Sequence, residues 1–201
     1  MQSPPLMPAG RRAERTDLPW CLAFVRHGAT QPNLDGVRCG GDLDVPLTDV
    51  GRHQAAQAGR HLRELGTAVG VIVTSDLQRT RETARIVAAA LDGVEVVIAP
   101  GFAERHLGAW NLRPIVDTEA ELARGATPPG GEPNEQFIAR IAEAIETLLP
   151  HQRPLLVASK GVARALGELL GQPVRQGLAN GGLAHFDLAA FAHRSDPRCS
   201  A

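Results

Sequence analysis

Five short apolar runs, separated by stretches of helical spacing or by turn-rich segments, set the strongest limit on what this chain can fold into. They are "WCLAFV" from Trp20, "VGVIVTS" from Val69, "VEVVIA" from Val94, "PLLVAS" from Pro154 and "LAHFDL" from Leu183, and each reads as a strand. Residues 48–65, 76–91, 132–149 and 161–170 carry apolar side chains at helical spacing, and Thr48 stands where it can cap the first of these helices. The order is therefore α/β. The strand runs are continuous rather than alternating, which predicts a mostly parallel central sheet covered on both faces, a three-layer α/β/α sandwich. Sheets of this kind carry their sites where strands end and helices begin. Residues 108–131, with "ARGATPPGG", predict an irregular loop with one short helix over an edge of the sheet.

A chain of 201 residues with 43% hydrophobic content can bury one ordinary core. We expect a single domain over residues 18–190, with tails over 1–17 and 191–201. The first tail, "MQSPPLMPAGRRAERTD", has prolines and charges but no apolar core of a signal peptide, so it is expected to be flexible and the protein cytoplasmic. A net charge of -1 gives no pull toward nucleic acid or an anionic membrane, and no apolar run approaches the roughly 20 residues of a spanning helix. Cys21, Cys39 and Cys199 are odd in number and match no metal-ligand spacing. They fit a reducing compartment as packing or surface thiols, and neither a metal nor a cofactor is expected. The sequence gives no oligomeric state.

The first strand ends in "FVRHGATQPN". Arg26 and His27 sit where the chain leaves the sheet, Gly28 lets the backbone turn closely, and Thr30 and Asn33 are short polar side chains able to hydrogen-bond an anion. Taken alone, a histidine at a strand end is more often a structural residue than a reactive one. A second segment, "LLVASKGVARAL", holds Lys160, the single lysine beside twenty arginines. So biased a composition asks for a chemical reason behind that lysine.

The segments "RHGATQPN", "GDLDVPLTDVGRHQAAQAGRHL", "VIVTSDLQRTRETARIVA", "ERHLGAW" and "LLVASKGVARAL" resemble, in order and approximate spacing, those of the histidine phosphatase superfamily, also called phosphoglycerate mutase-like. The resemblance spans about residues 21–188. It implies that His27 attacks phosphorus and becomes a phosphohistidine, that Arg26 and Arg79 clamp phosphate oxygens with Asn33 adding a donor, and that Glu104 protonates the leaving oxygen and then activates water. It also implies a second histidine in a segment like "VSHG", for which this chain has "ASKG", so Lys160 is read as its replacement beside Gly161. The expected partner is a small phosphorylated substrate.

The residue types suit that chemistry on physical grounds. Phosphoryl transfer asks mainly for positioning and for charge stabilisation on the equatorial oxygens, which a nucleophile ringed by fixed cations supplies without a metal. Nearby guanidinium groups disfavour imidazolium and keep His27 neutral and nucleophilic. A lysine offers three donors and a full charge, but not the fixed geometry of a planar ring. Losing one pre-organised donor altogether costs roughly 100- to 1000-fold in rate, so a partial substitute implies reduced rather than abolished activity.

The expected function is thus hydrolysis of a phosphomonoester. A non-catalytic binder of phosphorylated ligands is the alternative, disfavoured because a binder has no use for His27 and Glu104 together. A mutase comes third: the resembling mutases carry a tyrosine where Leu107 stands, and this chain has no tyrosine. Trp110 and Arg113 are expected substrate contacts and His106 a pocket-lining residue. His53 and His61 lie on the helical face after "LTDVG", His151, His185 and His193 have no motif support, none has metal-ligand spacing, and His185 or His106 could stand in for a missing second histidine.

Overall fold

The computed structural model describes residues 21–174, 177–189 and 191. The tails expected over 1–17 and, but for Phe191, over 191–201 lie outside the described residues, as do Cys199 and His193. The chain forms β1 (Cys21–Arg26), α1 (Gln31–Leu34), α2 (Asp49–Glu64), β2 (Val71–Thr74), α3 (Gln78–Ala90), β3 (Val96–Ile98), α4 (Ile115–Ala123), α5 (Asn134–Glu146), β4 (Pro154–Ala158), α6 (Lys160–Leu169) and β5 (Leu183–Asp187). The strands lie in the order β3-β2-β4-β1-β5. The first four pair in parallel, and β5 runs antiparallel to β1.

Side-chain parity along the strands builds the two cores. Leu22 and Phe24 share one face with Val73 and Leu156, packed against Phe137, Ile141 and Ile145 of α5 and Val162 and Leu166 of α6. Ala23 and Val25 share the other with Ile72, Leu155 and Val157, packed against Leu62 of α2 and Val87 of α3. Successive strand side chains alternate between faces, so a strand buried on both sides must be apolar throughout. Each fully buried Leu, Val, Ile or Phe contributes about 1.5–3 kcal/mol. This is the expected three-layer sandwich with a mostly parallel sheet.

Elements are shorter than the apolar runs, because a ladder needs a partner as well as a suitable side chain. Val69 and Val94 precede the paired strands, and β3 has three residues. Helix α6 begins one residue earlier than the spacing predicts, at Lys160. The segment 108–131 holds a 3-10 turn at Gly108–Trp110 and the nine-residue helix α4. Thr48 caps α2 as its position predicts: its Oγ1 accepts from Gly51 N at 3.1 Å and donates to Ala29 O at 2.9 Å. A Cβ on Gly28 would strike the carbonyl of Gly51, so only glycine lets the loop after β1 lie against the start of α2. Among the described residues, no helix is long and apolar enough to cross a membrane.

Candidate active site

Strands β1 and β4 lie side by side and end together, with Arg26 level with Ala158. His27 is the next residue, and its N–H donates to Ala158 O at 3.0 Å. The imidazole is 4% exposed, and Nδ1 lies 2.7 Å from Gly28 O. A carbonyl can only accept, so in the neutral ring Nδ1 carries the hydrogen and Nε2 keeps its lone pair. Burial, then the cations Arg79 and Arg26, hold the pKa of His27 well below the ordinary imidazole value, against an opposing pull from the Gly28 hydrogen bond. The ring is therefore neutral near pH 7.

Asn33, at the third position of α1, is fixed by the company its oxygen keeps. Oδ1 accepts from Thr30 N, Thr30 Oγ1 and Asn180 Nδ2, each at 3.1 Å. That leaves its amide NH₂ as the donor for the cavity. Asn180 also donates to His27 O at 3.0 Å, which ties the turn before β5 to the end of β1. Thr30 is fully buried and its hydroxyl is committed to Asn33, so Thr30 positions a donor from outside the cavity wall.

Arg26 donates through one guanidinium nitrogen to Leu178 O at 2.8 Å, while its Nε is buried without a partner. Glu104 is held from both sides: Oε1 accepts from Arg105 N at 2.8 Å and Oε2 from Gly161 N at 2.9 Å. A Cβ on Gly161 would land on that carboxylate. Gly161 is the second residue of α6, so the Glu104 carboxyl group sits at that helix start. Arg79, 1% exposed, donates to Leu43 O at 2.9 Å and Gly40 O at 3.1 Å. It anchors the 40–43 loop and adds its charge to the field on His27.

These groups border a cavity of about 550 Å³. Of the residues singled out from sequence, Arg26, His27, Asn33, Glu104, Lys160 and Gly161 line it. Arg79 and Thr30 lie outside the lining, as do Trp110, Arg113 and His106. Trp110 is buried, whereas Arg113 and His106 are exposed. The covering wall comes instead from α4, through Ile115, Glu119, Leu122 and Ala123. His185 stands on β5 opposite Ala23, away from the strand ends that carry His27.

The rim is cationic. Lys160 and Arg164, one turn apart on α6, both line the cavity and both are exposed. Partial desolvation, then Arg26 and Arg164, lower the pKa of the Lys160 amine, with Glu119 opposing. Arg38 faces them and is tied to α4 through Thr118 Oγ1 at 2.9 Å and Ile115 O at 3.3 Å. Sequence reasoning missed Arg38, Arg164 and Asn180. The i, i+4 spacing from Lys160 could have found Arg164, whereas Arg38 and Asn180 enter only through contacts distant in the chain.

Residues 22–190 match the sequence profile described as "Histidine phosphatase superfamily (branch 1)". The chain is 35% identical over 183 residues to a protein of Danio rerio named "Fructose-2,6-bisphosphatase TIGAR B", covering 87% of this chain and 69% of that one. It is 36% identical over 165 residues to "Probable phosphoglycerate mutase GpmB" of Photorhabdus laumondii, covering 75% and 74%. Among solved structures it is similar to a mycobacterial glucosyl-3-phosphoglycerate phosphatase complexed with VO3, with a TM-score of 0.69 and 29% identity over 82% of this chain and 91% of that one. It is likewise similar to the alpha-ribazole phosphatase of Shigella flexneri, with a TM-score of 0.67 and 28% identity over 83% and 90%.

Proposed function

The chain belongs to the histidine phosphatase superfamily, a family of phosphatases and phosphotransferases, and on that premise we propose that it hydrolyses a small phosphomonoester through a phosphoryl group carried on His27 Nε2. One observation carries the reading: a buried, neutral imidazole with Nδ1 committed to Gly28 O and Nε2 bare, lining a cavity with Arg26, Asn33 and Glu104.

The Nε2 lone pair attacks phosphorus, and the bond from phosphorus to the ester oxygen breaks. Arg26 and the Asn33 amide hold equatorial oxygens, and Arg79 contributes charge from behind. Glu104 gives a proton to the departing oxygen. It then takes one from the water that attacks the phosphohistidine, releasing inorganic phosphate and restoring neutral His27. Lys160 brings positive charge from the rim, and the segment after β4 supplies no imidazole, so turnover is expected to be modest. A cavity of about 550 Å³ suits a small substrate. Transfer to an acceptor hydroxyl, the activity that the name of the Photorhabdus relative carries, is the second reading.

The test is turnover of p-nitrophenyl phosphate by the purified protein. His27→Ala is expected to lower it by about 10³-fold or more while inorganic phosphate still binds. Equal turnover by the two proteins would refute the proposal, and retention of the phosphoryl group on an added alcohol instead of water would favour transfer.

A further inference from the structure

The cavity carries more positive charge than one phosphoryl group needs, and the surplus is gathered at the rim. On the floor, Arg26 and the buried Arg79 answer the two negative charges of a phosphoryl group. Glu104 enters the proposed reaction with a proton to give, so it adds no charge there. Arg105 also lines the cavity, but its guanidinium nitrogens are committed to Glu132 O, Asn134 Oδ1 and Ala126 O. Arg38, Lys160 and Arg164 remain, all three lining the same cavity.

These three cations have no ion-pair partner although carboxylates stand near them. Among the described residues the ion pairs are made by Arg52, His61, Arg63 and Arg140. Glu119 of α4 and Glu168 of α6 border the cavity as well, yet neither pairs with a rim cation. Arg38 spends Nε and one terminal nitrogen on α4, which leaves its other terminal nitrogen unused. The mutual repulsion registers in the titration of the cluster. Partial burial, then Arg26, Arg164 and Arg38, lower the pKa of the Lys160 amine, while burial, then Arg164, lower that of the Arg38 guanidinium, with Glu119 opposing both. Packing of the fold gains nothing from like charges brought together on a cavity wall. An anion placed among them removes the repulsion and accepts charge-assisted hydrogen bonds. Because Arg26 of the floor acts on Lys160 of the rim, one small molecule can span both.

We infer that Arg38, Lys160 and Arg164 form a second anion subsite, and that the preferred substrates are small phosphomonoesters bearing a further carboxylate or phosphate a few bonds from the ester. The inference rests on the phosphatase reading of the same cavity. It also gives the single lysine of the chain a task. At the first position of α6, one turn before Arg164, Lys160 serves the far end of the substrate rather than the phosphorus.

Three esters built on one three-carbon chain test this: propyl phosphate, 3-phosphonooxypropanoate and propane-1,3-diyl bisphosphate, with release of inorganic phosphate followed for each. In the parent protein, kcat/KM per ester group is expected to be at least about fivefold higher for one of the two doubly anionic esters than for propyl phosphate. Whichever of the two gains more identifies the second group as carboxylate or phosphate. Lys160→Ala combined with Arg164→Ala removes two exposed side chains and leaves the core untouched. In that variant the preference is expected to fall to less than about half its parent value; Arg38 is kept, since its bonds to α4 also serve the fold. A parent preference below about fivefold for both esters overturns the inference, and so does a preference that the double variant retains. Should the parent hydrolyse none of the three, the phosphatase reading fails separately, and calorimetric binding of the same compounds decides the subsite. At least about fivefold tighter binding of a doubly anionic ester than of propyl phosphate, lost in the double variant, supports it, and any smaller difference refutes it.

Discussion

At the floor of the cavity, His27, Asn33 and Glu104 are each held by backbone groups or buried neighbours, whereas at the rim Lys160 and Arg164 stand exposed on α6 opposite Arg38. The floor is built from strand ends and from crossings between β1, β4 and the turn before β5. Its groups therefore have one geometry before any ligand arrives. The rim is built from side chains on long flexible stems, which adapt to a ligand and lose conformational entropy when they do. Fixed donors stabilise a transition state without reorganising, so on the proposed reading rate belongs to the floor and affinity and substrate choice to the rim.

After the loss of His27 itself, removing Glu104 from the floor should do the most damage. Glu104→Gln keeps the shape but cannot exchange the proton, and general acid and base catalysis contributes about 10²- to 10⁴-fold. The loss should be greatest for an alkyl phosphate and smaller for p-nitrophenyl phosphate, whose phenolate leaves with little need of a proton. Equal losses for both esters in steady-state assays would mean that Glu104 serves only as the hydrogen-bond acceptor at the start of α6.

Rim substitutions should act more gently and on a different constant. Lys160→Ala combined with Arg164→Ala is expected to raise KM about three- to tenfold for an anionic substrate, with the difference shrinking as salt is added. A fall in kcat with KM unchanged would erase the distinction between floor and rim.

The smallest effect concerns folding in acid. The folded pKa of His27 lies well below the ordinary value of about 6.5 that holds in the unfolded chain. As the pH falls below about 6.5 the unfolded chain takes up a proton that the folded protein refuses, so stability is full above that range and declines below it, by at most about 1.4 kcal/mol per pH unit. Thermal melts at pH 7.5 and 5.5 should show a smaller acid-induced drop in Tm for His27→Asn than for the parent. Identical drops would mean that the ring is not held neutral.

Much of this was legible in the sequence wherever the cause is local. Continuous apolar strands announced a sheet covered on both faces, Thr48 announced the start of α2, and Arg26 with His27 announced the strand end that opens on the cavity. Thr30 was legible as a polar neighbour but not as the residue that orients Asn33, because that depends on which face of a four-residue helix its partner occupies. The covering segment 108–131 was legible, but its contacts were misjudged for a related reason: Trp110 turns inward while α4, unremarkable in composition, faces the cavity.

Trapping the phosphorylated protein tests the central claim most directly. Excess phosphomonoester is mixed with the protein, the reaction is stopped in alkali, and the modified residue is located by peptide mass spectrometry with ³¹P NMR to distinguish the ring nitrogens. The account predicts an alkali-stable, acid-labile phosphoryl group on Nε2 of His27 that disappears at the rate of turnover. A label on another residue or on Nδ1, or steady turnover with no label at all, would contradict it.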